Sequence, residues 1–226
     1  MQRRYSSVYD NYFDDNSDYK LHLGAGPFCF PGWLNTDLHP QSDSIYELDA
    51  SAKLPFDDCT FSVVFSEHLI EHMEYPSGAR MLREVYRVLR PGGYVRFSTP
   101  DLHRLVGLLL HNNDNVRLSY VRLINHLFSD ADDLNDPTFT INSVFYSHGH
   151  RFLYTEELLT KLYSNTGFKE IKRFDPLISD IKDLCGLEKH GLLLGDERLN
   201  TFECMVIQAR KPLDYVSKVD CCFITY

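Results

Sequence analysis

The stretch "LHLGAGPFCFPGWLNTDL", residues 21–38, decides the fold. A short apolar run stops at Gly24-Ala25-Gly26, and a second run, residues 33–36, ends at Asp37. Glycine lets the backbone come close to a ligand. A carboxylate at the end of the second strand is placed to accept hydrogen bonds from a ribose diol. The stretch therefore predicts two adjacent strands with a nucleoside site at their carboxyl ends.

The remainder of the chain alternates apolar runs with helical patterns. Residues 61–65 (FSVVF) are typical of a strand buried on both faces. Residues 77–90 predict a helix with Ser77 as its N-cap, stopped by Pro91-Gly92-Gly93. Residues 155–165 predict a second helix, with Thr155 as its cap and Gly167 after its end. Further strands are predicted at residues 45–48, 94–98, 168–174 and 202–209. This alternation predicts an α/β domain with a mainly parallel sheet.

Three segments define the expected domain organisation. We expect a flexible N-terminal arm at residues 1–18, a catalytic domain at residues 19–212 and a C-terminal tail at residues 213–226. Two insertions, at about residues 102–151 and 176–200, interrupt the alternation. The first contains helical pieces at residues 105–110 and 116–128 and an acidic loop at residues 129–137. Long insertions of this kind usually build the substrate side of a site.

Composition and charge exclude several classes of partner. The 226 residues carry a net charge of -9, so the chain has no general attraction for a nucleic-acid backbone. No apolar stretch approaches the roughly 20 residues needed to cross a bilayer. The six cysteines show no CxxC spacing, which favours free thiols in a reducing, cytoplasmic compartment. Cys221 and Cys222 are expected in a mobile tail.

The residues that follow each predicted strand define the candidate pocket, because ligands bind beyond the carboxyl ends of an open parallel sheet. An acid followed by a small residue after the third strand can contact an adenine edge. Each signal is weak alone, but their order and spacing predict a nucleoside pocket. The pocket residues are Gly24, Ala25, Gly26, Asp37, Asp49, Ala50, Ser66, Glu67 and His68, and Asp101 and His103 follow the fifth strand.

The nucleoside could belong to NAD or to S-adenosylmethionine. NAD needs a G-x-G-x-x-G turn with a helix N-terminus beneath its pyrophosphate. Here the third glycine position is Cys29, and only ten residues separate Gly26 from Asp37. That is too few for an ordinary helix of about 11 residues and a returning strand. A shortened first crossover suits S-adenosylmethionine better, because it carries no pyrophosphate.

Five blocks of the sequence resemble class I S-adenosylmethionine-dependent methyltransferases. They are "LHLGAG…GWLNTDL", "LDASAKLPFDDCTFSVVFSEHLIEHM", "LREVYRVLRPGGYVRFSTPDL", "HRFLYTEELLTKLYSNTGF" and "ECMVIQARKP", and they extend over about residues 21–212. The nearest group is the small type with a truncated first helix. One departure is His22, where the family often has an acid.

The resemblance implies a seven-stranded sheet in the order 3-2-1-4-5-7-6, with the last strand antiparallel. By position, Gly24, Ala25 and Gly26 would lie along the methionine and ribose of the cofactor. Asp37 would hold the ribose hydroxyls, and Asp49 and Ala50 would contact adenine. The sulfonium end would be flanked by Ser66, Glu67 and His68.

Histidines are the candidate catalytic bases. Methyl transfer from a sulfonium is an in-line displacement, and a base is needed only where the acceptor must lose a proton. His68 and His72 are four apart, so they would share a face if this stretch forms a helix. His150 ends the first insertion. We predict no metal, because no third ligand follows His68 and His72 nearby in the sequence. Tyr12 and Phe13 could cover the cofactor if the N-terminal arm folds down.

The sequence thus predicts a cytoplasmic methyltransferase that uses S-adenosylmethionine on a small-molecule acceptor, a sugar or secondary metabolite among others. Oxygen is favoured over nitrogen as the methylated atom. We expect no nucleic-acid or membrane partner, and a homodimer stays open. Two alternatives remain: an NAD(P)-dependent oxidoreductase, and a catalytically inactive partner subunit with a methyltransferase fold.

Overall fold

The computed structural model describes residues 2–110, 115–129 and 133–214, with side chains described from residue 9 onward. Its centre is a seven-stranded sheet in the order β3-β2-β1-β4-β5-β7-β6. Strands β1 to β5 run parallel, and β7 is antiparallel to both of its neighbours. This confirms the predicted fold class. The strands are β1 Lys20–Leu23, β2 Leu34–Asp37, β3 Tyr46–Glu47, β4 Phe61–Glu67, β5 Leu89–Pro100, β6 Lys169–Phe174 and β7 Cys204–Arg210.

Eight helices accompany the strands within the described residues. They are α1 Gln2–Asp15, α2 Tyr75–Val88, α3 Leu102–Gly107, α4 Asn115–Phe128, α5 Pro137–Tyr146, α6 Glu156–Thr166, α7 His190–Leu194 and α8 Glu197–Glu203. None of the described helices is long and apolar enough to cross a bilayer. Strand β4 is the centre of the core, and its residues from Phe61 to Ser66 are all buried. Helices α2 and α6 pack their apolar faces against the sheet.

The predicted helix ends are confirmed for α6 but not for α2. Thr155 caps α6 by accepting a hydrogen bond from the Leu158 N–H (3.3 Å), and Gly167 ends it with φ +113°. Helix α2 begins two residues earlier than predicted, and its N-cap is Glu74 rather than Ser77. Proline has no N–H to leave unpaired, so Pro76 fits the first turn and lets the helix start there.

The N-terminal arm differs from its prediction. It forms helix α1, and Tyr12 is buried, with its hydroxyl accepting from Lys20 N (2.6 Å) and donating to Lys20 O (2.9 Å). The Phe13 ring packs on Tyr19 and Phe61. These contacts lie at the amino ends of β1 and β4, opposite the ligand edge of the sheet. Tyr12 and Phe13 therefore do not cover the cofactor, because they complete the core instead.

The two insertions fold against each other. The first forms α3, α4 and α5, and α5 was not predicted. Its apolar residues and those of α7 and α8 share a second small core, which includes Leu105, Tyr120, Ile124 and Leu199. A buried ion pair, Arg96 Nε to Glu188 Oε1 (2.7 Å), fixes the second insertion to β5. Cys221 and Cys222 lie outside the described residues.

Candidate active site

A first cavity of about 230 Å³ lies at the carboxyl ends of β1, β2 and β4. Gly24 has φ +69°, and a Cβ there would lie 3.1 Å from Leu69. A Cβ on Gly26 (φ +52°) would meet nothing within 4 Å, so space for a ligand lies directly over the backbone. The walls come from both sides of the strand ends: His22, Gly24, Ala25, Gly26, Pro27, Phe28, Phe30, Asp37, Glu67, His68, Leu69, Lys189, His190 and Leu193.

Asp37 ties the glycine turn to the end of β2. Its Oδ2 accepts from Gly26 N (2.9 Å), and its Oδ1 accepts from His39 N (2.9 Å). Each carboxylate oxygen has two acceptor positions, so both oxygens keep one for a ligand. The predicted cofactor residues Gly24, Gly26 and Asp37 therefore line one cavity, and the hydrogen bond from Gly26 to Asp37 fixes the distance between the glycine turn and the carboxylate.

Three predicted cofactor residues do not line this cavity. Asp49 is exposed, and its Oδ1 caps a turn by accepting from the Ser51 N–H (2.8 Å) and hydroxyl (2.6 Å). Ala50 is buried in the main core. Ser66 is buried within β4, where its hydroxyl has no hydrogen-bond partner. A role in cofactor binding stays a prediction for these residues.

Glu67, a predicted pocket residue, lines the first cavity, and its carboxylate also binds the second insertion, which the sequence did not indicate. Its carboxylate accepts from the backbone N–H groups of Lys189 (2.7 Å) and His190 (3.1 Å), which begin α7. Burial raises the pKa of Glu67, against the lowering effect of His68 and these two N–H groups. Glu67 thus fixes the second insertion over the strand ends.

His22, the departure from the family pattern, also lies on the cavity wall. Its ring stacks on Phe30 (centroids 4.6 Å apart) and its Nδ1 donates to Asn35 Oδ1 (3.2 Å). Burial lowers the pKa of His22 to about 4. The imidazole is therefore neutral at pH 7, and this wall offers a neutral ring where the family often has a carboxylate.

A second cavity of about 330 Å³ adjoins the first and is lined by five histidines, with an apolar wall from α4, α5 and α7. The two cavities share three residues: His68, His190 and Leu193. The predicted candidates His68, His72 and His150 all lie on the wall of the second cavity. Its lining residues are His68, His72, Ile124, Leu127, Phe128, Val144, His148, His150, His190, Leu193, Leu194 and Glu203.

His68 is held on both ring nitrogens. Its Nδ1 lies 3.0 Å from Glu71 Oε1, and its Nε2 lies 3.0 Å from Cys204 Sγ. Burial disfavours its charged form, but the contact with Cys204 Sγ and the hydrogen bond to the buried Glu71 carboxylate raise the pKa of His68. Burial raises the pKa of Cys204 to about 12, so the thiol stays neutral and Glu71 is the anionic neighbour. His68 is thus an imidazolium with both N–H groups engaged, which suits a positioning charge better than a base.

His190 is the site residue that the sequence analysis missed. Its ring stacks on His68 (centroids 3.9 Å apart), and its Nε2 lies 3.3 Å from Glu203 Oε2. Because an ionised carboxylate only accepts, Nε2 is the donor and Nδ1 is left as an acceptor. Neither "LEKHGLLLG" nor the buried Glu203 carried a motif that could have indicated this pair.

His72 and His150 meet on the far wall, with ring centroids 4.8 Å apart. His150 Nδ1 donates to the Val144 carbonyl (2.5 Å), which leaves its Nε2 free. His68 has φ +48° and lies outside the short 3-10 turn Ile70–His72, so no helix places His68 and His72 on one face. The loop itself brings His68 and His72 to one cavity. Asp101 and His103 were expected at the pocket, but neither lines the two cavities.

Comparison with known proteins points the same way as the geometry. Residues 34–97 match the methyltransferase domain family. A solved S-adenosylmethionine-dependent methyltransferase from Archaeoglobus fulgidus is 15% identical, with 91% of this chain and 90% of that chain covered and a TM-score of 0.50. A chain of the complex that contains the Haloferax volcanii Trm112 methyltransferase activator is 13% identical, covering 96% and 93%, with a TM-score of 0.52. No curated protein matches the sequence.

The structural likenesses show a class I, Rossmann-like methyltransferase fold. The match of residues 34–97 to the methyltransferase domain family indicates methyl transfer, with S-adenosylmethionine as the indicated cofactor. The first cavity fits that cofactor, since Gly26 leaves open space over the backbone and Asp37 keeps free acceptor positions beside it.

Proposed function

We propose that the protein methylates an oxygen or nitrogen atom of a small molecule bound in the second cavity. One observation carries this proposal: the cofactor cavity and the histidine-lined cavity meet at His68, His190 and Leu193. A cofactor in the first cavity would present its methyl group toward that junction. An acceptor in the second cavity would approach from the opposite side, as in-line displacement requires.

The cofactor would be held by Gly24, Ala25, Gly26 and Asp37, with Glu67 holding the second insertion against it. S-adenosylmethionine supplies an activated methyl group on a positively charged sulfur. The protein therefore has to align the acceptor, exclude water and remove a proton where the acceptor carries one. Its imidazole-rich junction provides groups for the last task.

The His190–Glu203 pair is the best-placed base at the junction. Glu203 holds the imidazole through Nε2, so Nδ1 can accept the acceptor's proton. The new bond to carbon forms with a lone pair of the acceptor atom, and the electrons of the broken S–C bond return to sulfur. General-base assistance of this kind contributes about 10²–10⁴-fold in rate. His68 would fix the stacked ring of His190 rather than take the proton.

The second cavity favours a small acceptor with an apolar part. At about 330 Å³ it is at the lower end of the range for small-molecule sites, and Ile124, Leu127, Phe128 and Val144 form its apolar wall. Five histidines also line this cavity. The net charge of -9 disfavours a nucleic acid as the methylated substrate. The described cysteines are unpaired, in keeping with a reducing cytoplasm.

Two measurements test the proposed function. First, calorimetry should show stoichiometric binding of S-adenosylhomocysteine and no binding of NADH. Second, a panel of hydroxyl- and amine-bearing acceptors with methyl-labelled cofactor should yield product, and His190→Ala should lower turnover while the variant still binds S-adenosylhomocysteine. Cofactor binding without turnover on any acceptor would favour the inactive partner subunit, and NADH binding would favour the oxidoreductase.

A further inference from the structure

We propose that Glu71, His72 and His150 form a binding site for a divalent transition-metal ion of the zinc type, on the wall of the second cavity. The three side chains come from two distant parts of the chain. Their ligand atoms all lie within 4.8 Å of one another. The sequence argument against a metal was that no third ligand follows nearby, but folding brings His150 to the other two.

The backbone pre-positions the three side chains. The Glu71 carbonyl accepts from both Arg151 N (2.7 Å) and Phe152 N (3.1 Å), so the segment after His150 is tied directly to Glu71. His150 Nδ1 donates to the Val144 carbonyl, which orients its Nε2. Metal-binding histidines are typically oriented by such a hydrogen bond on their other nitrogen.

The burial of the Glu71 carboxylate is a second, independent observation that favours a bound cation. The Glu71 side chain is fully buried, Oε2 accepts from the Thr99 hydroxyl (2.9 Å), and Oε1 contacts only His68 Nδ1 (3.0 Å) among the described residues, so one acceptor position of Oε1 is left for a cation. A buried carboxylate oxygen left in this state carries a desolvation cost that a bound cation would offset.

The donor set matches the preference of zinc-type ions. Two imidazoles and one carboxylate, with a further coordination position left open, are a common ligand set for catalytic zinc. Ligand atoms on a tetrahedral zinc ion lie about 3.3 Å apart, so the side chains would close by at most about 1.5 Å. His72 is exposed and can make that movement. His72 and His150 line the second cavity, so the open position would be available to an acceptor oxygen, a role that rests on the proposed function.

A neighbouring cluster, His68, His190 and Glu203, is less suited to a metal. Both nitrogens of His68 are engaged, by Glu71 and Cys204, and Nε2 of His190 is engaged by Glu203. A cation bound there through His68 would have to displace Glu71 or Cys204 from its ring. In the proposed site, Nε2 of His150 is free already.

The test uses the full chain, stripped with a chelator and titrated with Zn²⁺ by calorimetry and with Co²⁺ by visible absorption. We expect one equivalent to bind with micromolar or tighter affinity, and Co²⁺ to show the intense bands of a low-coordinate site. His150→Ala and His72→Ala should each weaken binding by at least about 100-fold. His126→Ala, an exposed histidine that lines neither cavity, is the matched control and should change affinity by less than about twofold.

The proposal is wrong if the wild-type chain binds no stoichiometric Zn²⁺, or if His190→Ala abolishes binding while His72→Ala and His150→Ala retain it. Glu71→Gln could unfold the chain, since Glu71 is buried, so the two histidine variants decide the question. S-adenosylhomocysteine affinity should be unchanged in His72→Ala and His150→Ala. Failure of the metal site with intact cofactor binding leaves the proposed function standing, so the two failures are distinguishable.

Discussion

Removal of the Asp37 carboxylate separates a cofactor-binding role from a turn-capping role. In the structure Asp37 accepts from the backbone N–H two residues ahead, His39, and also from Gly26 on the cavity floor. Asp49 accepts in the same way from Ser51, two residues ahead, but lines no cavity. The two aspartates are therefore a matched pair: Asp37→Ala and Asp49→Ala each lose a turn cap, and only Asp37→Ala opens the cavity floor.

The expected magnitude follows from the hydrogen bonds that a ribose would make with Asp37. Hydrogen bonds to a charged group contribute about 1.5–3 kcal/mol, and part of that gain is offset by water in the free state. We expect Asp37→Ala to weaken S-adenosylhomocysteine binding by about 1–3 kcal/mol, or about 5- to 150-fold in Kd. Asp49→Ala should stay within about twofold.

The assay is isothermal titration calorimetry with S-adenosylhomocysteine at matched protein concentration, with thermal unfolding as a check that each variant is folded. Unchanged affinity in a folded Asp37→Ala variant would remove Asp37 from the site. Equal losses in Asp37→Ala and Asp49→Ala would show that the first cavity does not define the whole adenosine site, and that Asp49 reaches the ligand.

Three further predictions concern stability and turnover. Buried His22 has a pKa of about 4 when folded and about 6.5 when unfolded, so only the unfolded chain gains a proton as the pH falls through that window. The free energy of unfolding should therefore drop by up to about 3 kcal/mol between pH 6.5 and 4. Denaturant titrations should show a shallower fall for His22→Asn than for the wild type, and equal slopes would contradict the assignment of His22. Tyr12→Phe should destabilise the fold by about 1–2 kcal/mol, because the Tyr12 hydroxyl bonds both polar groups of the Lys20 backbone. The affinity for S-adenosylhomocysteine should be unchanged, and weaker binding would instead support an N-terminal arm that covers the cofactor. Once an acceptor is found, Glu203→Gln should lower kcat by about 10-fold or more with an unchanged cofactor Kd, since it removes the charge that holds His190. Full activity of this variant would exclude the His190–Glu203 pair as the general base.

Local sequence signals predicted the sheet because its strands are apolar runs ended by glycine or acids. Strand β4 was visible as FSVVF, and α6 was visible through Thr155 and Gly167. Helix α1 was not predicted, because its sequence is strongly polar and its position depends on Tyr12 packing at the amino end of β1. Tertiary packing, rather than local propensity, stabilises such a helix.

The candidate site was predictable on the cofactor side and hidden on the acceptor side. Gly24, Gly26 and Asp37 follow consecutive strands, and topology alone brings them together. His190 lies in an insertion without a motif, and Glu203 directly precedes β7, so only the folded chain brings the two together. The contacts of Glu67 with the start of α7 help to place His190 at the junction. Long-range contacts of this kind leave no periodic trace in a sequence.

A crystal structure of the S-adenosylhomocysteine complex tests the central claim most directly. It should show the ribose on Asp37, the ligand over Gly24 and Gly26, and the sulfur at the junction with the second cavity, beside His68 and His190. A ligand bound elsewhere on the molecule, or a sulfur pointing away from the histidine-lined cavity, would contradict the account.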